Sequence, residues 1–239
     1  MQQEILIGRN RKMAGKIKSS ASSDETVWVL GGGQFGQRAV DLLRKAAPAV
    51  NLVVIDRQPL SHLPAGVKCV RADGVAWLAE HFVPETHVGK IIPAIPRHLA
   101  AEWLKRKLAE EGADVHAVNI PEGLLLRFPH PMRLSPSQIV MSHADFICPP
   151  NCAEPDELCS HTRRPRPTPL FHLLETLDCG SFTPLIVRSR QFAAGVGGFF
   201  PEDLWQLLAR ARSLPDTPLL VGSACKCHGI VDGFCHHPA

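Results

Sequence analysis

An apolar run, Val27 to Leu30, passes directly into Gly31-Gly32-Gly33-Gln34-Phe35-Gly36 and then into a segment whose apolar residues, Phe35, Ala39, Leu42, Leu43 and Ala46, recur at helical spacing. A G-x-G-x-x-G spacing between a strand and a helix demands a particular backbone, so this feature constrains the fold more than any other. Gly31 permits a tight turn, Gly33 leaves main-chain N–H groups free to approach an anion, and Gly36 lets the helix lie close on the sheet. The positive end of the helix then favours a pyrophosphate. Twenty residues beyond Gly36 stands Asp56, at the end of a second apolar run, Leu52 to Ile55, with Arg57 beside it. A carboxylate there would accept hydrogen bonds from the hydroxyls of an adenosine ribose and repel a 2′-phosphate, so NAD(H) is the expected dinucleotide. The expected contacts are Gly31, Gly33, Gln34, Phe35, Gly36, Asp56 and Arg57.

Three further runs read as strands, Val67 to Arg71, Val88 to Ala94 and Val115 to Ile120, and Leu99, Trp103, Leu104 and Leu108 mark a helix before the last of them. This alternation predicts an α/β fold: a doubly wound, Rossmann-like parallel sheet over residues 26–121. Residues 122–239 are expected to form a smaller, Cys-rich α/β part. It would have helices at Leu170 to Leu177 and Pro201 to Arg212, and strands at Gln138 to Met141, Leu185 to Arg188 and Leu219 to Gly222. Pro201 followed by Glu202 and Asp203 is a favourable helix start. Residues 1–25 carry too few large apolar side chains to offset the entropy of ordering and are expected to be disordered.

A net charge of +3, part of it on Arg9, Arg11, Lys12, Lys16 and Lys18, argues against a nucleic-acid partner. No apolar run approaches the roughly 18 residues that a membrane span needs, so direct insertion is not expected and the chain reads as cytoplasmic. In a reducing compartment its eight cysteines point to metal binding rather than to a disulfide framework.

Five of those cysteines fall in two tight groups, Cys148-Pro-Pro-Asn-Cys152 with Cys159, and Cys225-Lys-Cys227. Soft thiolates at loop spacing suit zinc or an iron–sulfur cluster, and Pro149 and Pro150 would stiffen the loop. Iron–sulfur is preferred, since an electron carrier beside a hydride carrier makes a functional pair. His143, His161 and His228 are possible substitute ligands. The isolated Cys69, Cys179 and Cys235 read as reduced thiols, and His236-His237 as a tail. A second glycine run, Gly195-Val-Gly-Gly198, reads as a close-packed loop rather than a phosphate cradle, because Glu202 and Asp203 would repel an anion there. Arg188 or Arg190 could offer a contact to a ligand.

Val29 to Gly36, then Val53-Val54-Ile55-Asp56, then Val70-Arg71-Ala72-Asp73 resemble the TrkA-N domain, the nucleotide-binding domain of regulators of potassium transporters and channels. The resemblance covers residues 27–120. It implies a dinucleotide site that includes Asp73. A membrane transporter or a redox protein is a possible partner, and a homodimer is possible. The expected function is therefore an NAD(H)-binding, nucleotide- and redox-responsive regulatory module with a Cys-ligated metal, to which the resemblance adds a possible link to potassium transport. The alternative is an NAD-dependent oxidoreductase using an iron–sulfur centre. Tyr is absent, which excludes a Tyr-Lys dehydrogenase mechanism, and no Ser/His/Asp order stands out to mark catalysis.

Overall fold

A computed structural model describes residues 25–60 and 63–238. The basic N-terminal segment expected to be disordered lies, but for Glu25, outside the described residues. The chain is mixed α/β, built on two sheets. The first half supplies β1 (Thr26–Leu30), α1 (Gln34–Ala46), β2 (Asn51–Asp56), β3 (Lys68–Arg71), α2 (Gly74–His81), β4 (Lys90–Pro93) and α3 (Leu99–Glu110). Its four strands are all parallel, in the order β3-β2-β1-β4. α1 packs Ala39, Val40 and Leu43 with Val27, Val29 and Val54 of one face. Trp28, Leu30 and Ile55 of the other face cluster with Val75 and Leu78 of α2 and with Leu104 of α3. Helix α2 has no counterpart in the sequence reading. Its start is set by Asp73, whose carboxylate accepts hydrogen bonds from Val75 N (3.1 Å) and Ala76 N (3.0 Å).

The second half contributes β5 (Asp114–Ala117), α4 (Glu122–Leu125), β6 (Met132–Ser135), β7 (Gln138–Ser142), α5 (Leu170–Thr176) and β8 (Thr183–Arg188). It continues with β9 (Arg190–Ala193), β10 (Val196–Gly198), α6 (Pro201–Arg212), β11 (Leu219–Ala224) and β12 (His228–His237). The second sheet runs β6-β7-β12-β11-β8, with β8 and β11 parallel and β12 antiparallel to its neighbours. β5, expected as a fifth strand of the first sheet, pairs instead with the end of β12, Cys235 opposite His116. Asp114 and His116 are exposed, and such residues suit an edge better than a strand covered on both faces.

The C-terminal histidines are not a tail. β12 carries them into the sheet, where His236 is buried and its Nε2 lies 2.9 Å from the Ala211 carbonyl. The second glycine run forms the β9–β10 hairpin, and Phe199 just after it exchanges two backbone hydrogen bonds with Ile91 on the edge of β4. Arg190 is ion-paired to Asp203 and stands over Phe200, while Arg188 stands over Phe171. One core cluster draws on both sheets, joining Trp28 and Ile91 to Leu185, Val221 and Phe234 through α3 and α6.

Candidate dinucleotide crevice and thiol centre

The glycine-rich turn has the backbone that its spacing implies. Gly31 adopts φ +112, and any Cβ there would meet the Ala94 carbonyl. At Gly36 a Cβ would collide with the Gly31 carbonyl, whereas Gly33 faces open space. Gly33 is also the residue before α1, whose first turn has neither a side-chain cap nor an acid. Its N–H groups are therefore available to an anion.

A crevice of about 240 Å³ lies at the carboxyl ends of β1 to β4, walled by Gly31, Gly33, Asp56, Arg57, Asp73 and Arg97. Asp56 accepts hydrogen bonds from Gly32 N (2.6 Å) and Gln58 N (2.8 Å). Arg97 bridges both oxygens of Asp73 (2.9 and 3.0 Å). Burial would raise the Asp73 carboxyl, but the Ala76 N–H and Arg97 outweigh it and hold it below the usual carboxylate range. Gln34 is exposed at the start of α1, and Phe35, 70% exposed, lines the neighbouring cavity instead of the crevice.

That neighbouring cavity, about 550 Å³, is lined by all five grouped cysteines, Cys148, Cys152, Cys159, Cys225 and Cys227, together with His143, His161 and His228. Two chain segments are tied together to build it. Lys226 donates from its backbone N to Glu154 Oε1 (2.6 Å) and from Nζ to Asp156 Oδ1 (2.5 Å), and Cys227 O accepts from His143 N (2.8 Å). The β9–β10 hairpin closes one side, where Gln191 Nε2 (2.7 Å) and Gly195 N (3.1 Å) both donate to Cys152 O. Sequence reasoning missed Arg166, whose guanidinium donates to Cys227 Sγ (2.7 Å) and approaches Cys152 Sγ (3.9 Å). The Arg163-Arg164-Pro165-Arg166 run after Cys159 was the available signal.

Burial, then the neighbouring Cys152, Cys227 and Cys159, push the Cys148 thiol up, so ionising all four together needs a compensating cation. Hydrogen bonds from Thr162 lower Cys159. Cys225 differs from the others. Its Sγ accepts from Cys227 N (3.4 Å) and His228 N (3.3 Å), its charged neighbour is Glu154, and burial drives its pKa up to about 12. Burial also lowers His143 and His228, which keeps both rings neutral near pH 7.

Among the described residues, one group of three or more potential ligand atoms lies wholly within 4.8 Å, and it is elsewhere: His116, Cys235 and His237, where β5 meets β12. No three of the cavity thiols meet that distance. A single zinc holding four sulfurs at about 2.3 Å would draw them to roughly 3.8 Å from one another.

No curated protein and no solved structure matches the chain. The resemblance of residues 27–120 to TrkA-N is corrected by the family comparison: the model that matches is a different one and lies in the other half, so the expected link to potassium transport falls with it. That model begins inside α3 and ends at the last residue of β12, taking in the second sheet and every grouped cysteine. The chain belongs to the family described as "Uncharacterized protein, C-terminal domain", matched over residues 100–237.

Proposed function

We propose that the chain is an NAD(H)-binding redox module in which Cys148, Cys152, Cys159 and Cys227 hold an iron–sulfur centre beside a Rossmann-like nucleotide site. The observation that carries this reading is that cysteines from two distant segments line one cavity whose wall also includes Phe35 from the glycine-rich turn. The donor set fits the group. Soft thiolates dominate, no three of them lie wholly within 4.8 Å of one another among the described residues, and Arg166 supplies positive charge at two sulfurs. An iron–sulfur centre would give or take single electrons at this position. Arg166 offsets the accumulated thiolate charge, and the Cys152 carbonyl, held by Gln191 and Gly195, fixes the loop.

The strand order β3-β2-β1-β4 with helices against both faces supports the Rossmann-like assignment of the first half. Asp56, now occupied by the Gly32 N–H, would exchange that partner for a ribose hydroxyl.

The test is iron, sulfide and zinc content after purification without oxygen, together with NADH fluorescence titration. Iron and sulfide in near-equal amounts are expected, lost in the double variant Cys148→Ser, Cys227→Ser. NADH binding is expected to survive that variant and to weaken about tenfold or more in Asp56→Ala. Zinc alone, or NADH binding indifferent to Asp56, would refute the corresponding half of the assignment.

A further inference from the structure

A third cavity, about 830 Å³, shares Ile95, Pro96 and Arg97 with the nucleotide crevice and Cys225 and His228 with the thiol cavity. Its inner wall is one face of the second sheet. Ser223 pairs with Ile230, and Val221 with Asp232, so Ser223 and Asp232 are diagonal neighbours on the face turned toward α3. His98, the residue immediately before α3, lies against them. Its Nε2 is 2.8 Å from Ser223 Oγ and its Nδ1 2.6 Å from Asp232 Oδ2. All three are buried, exposed by 3% (His98), 9% (Ser223) and 3% (Asp232), and both His98 and Ser223 border the cavity.

The hydrogen bonding assigns the roles. Lys105 Nζ (3.1 Å) and Gln138 Nε2 (3.1 Å) also donate to Asp232, which keeps it ionised and able only to accept. His98 Nδ1 must then carry the proton. Its Nε2 is left as the acceptor for the Ser223 hydroxyl, the orientation that a serine nucleophile requires of its base.

We propose that Ser223, His98 and Asp232 form a catalytic triad that transfers the acyl group of an ester or thioester with an apolar chain to water. Ser223 Oγ attacks the carbonyl carbon and its proton passes to His98 Nε2. The bond to the leaving oxygen or sulfur breaks as His98 returns that proton to the leaving group. Water then attacks the acyl-serine by the same relay, releasing the carboxylic acid and restoring Ser223. Leu99, Val140, Phe199 and Ile230 give the cavity apolar walls, and Met132 and Leu134 are exposed along it, which suits an acyl chain. The first turn of α3 adjoins His98 with no side-chain cap, and its Leu99, which lines the cavity, has a backbone N–H with no acceptor among the described residues. Such an amide is suited to a developing oxyanion.

This activity is independent of any dinucleotide or metal, so its test needs neither. The full-length protein is treated with a fluorophosphonate probe, the adduct is mapped by peptide mass spectrometry, and hydrolysis of p-nitrophenyl hexanoate is followed in parallel. One adduct per chain, on Ser223, is expected. Labelling and hydrolysis should fall at least about 100-fold in Ser223→Ala and His98→Gln. They should be unchanged in Ser181→Ala, which alters an exposed serine outside that cavity. Absence of the Ser223 adduct in folded wild-type protein, or labelling of His98→Gln at the wild-type rate, would overturn the proposal and leave the three residues as a structural hydrogen-bond chain. Mapping the wild-type adduct keeps the test decisive even if a variant misfolds.

Discussion

Asp232 is the one buried carboxylate among the described residues, and His98, Lys105 and Gln138 all meet it. Burial alone would raise its pKa, but His98, Lys105 and Gln138 outweigh that and hold it below the usual carboxylate range. The unfolded chain protonates near pH 3.9. Because the folded value is lower, the stabilisation is fully present above about pH 5 and is lost as the pH falls through the folded value. Asp232→Asn is expected to cost roughly 2–3 kcal/mol at pH 7 and less at pH 3. Urea unfolding at the two pH values checks this, and an equal loss at both would remove the charge from the account. Sequence reading could not find this network. His98 stands 125 residues from Ser223 and 134 from Asp232, and each residue type is common. The glycine-rich turn and the cysteine groups were readable because their partners lie within a few residues of one another.

Among the elements, the β9–β10 hairpin ties the thiol cavity to the first sheet. It grips the edge of β4 through Phe199 and the Cys152 loop through Gln191 and Gly195. Gly195 has φ +78, and a Cβ there would run into the Pro150 carbonyl. Gly195→Ala is therefore expected to destabilise by roughly 1–3 kcal/mol and to push the Cys152 loop outward. Gly180→Ala is the control, since its φ of +63 carries the same backbone strain but its Cβ meets nothing within 4 Å. Faster iodoacetamide labelling of Cys152 in Gly195→Ala than in Gly180→Ala is the expected result, and equal rates would mean that the hairpin does not hold the loop. Local pattern identified this segment as close-packed, but not what it packs against. Local pattern also missed α2, where Trp77 and Ala79 blur the apolar stripe, and β12. The polar His228, Asp232, His236 and His237 disguise β12 as loop and tail until the register shows them meeting partners across the sheet.

At the scale of the whole molecule, the family boundary near residue 100 and the physical boundary do not coincide. Cutting there keeps α3 but for Leu99, and removes His98 and the first sheet, against which Trp103 and Leu104 are packed. All four tryptophans, Trp28 and Trp77 in the first half and Trp103 and Trp205 against the second sheet, belong to or pack on one cluster. Trp28 contacts Trp77 edge-on at 4.6 Å between centroids, and Phe82 links Trp28 to both Trp103 (5.6 Å) and Trp205 (4.5 Å). Two sheets that share a core in this way should lose it together, because separating them exposes large apolar side chains from both. Urea unfolding of the full chain is expected to show a single transition, coincident by tryptophan fluorescence and far-ultraviolet circular dichroism. A fragment starting at residue 100 should lack fixed near-ultraviolet dichroism and bind the dye ANS, as a chain with an uncovered apolar face does. Two separated transitions in the full chain, with a cooperatively folded fragment, would instead mean that the matched region is an autonomous domain and that its contact with the first sheet can open.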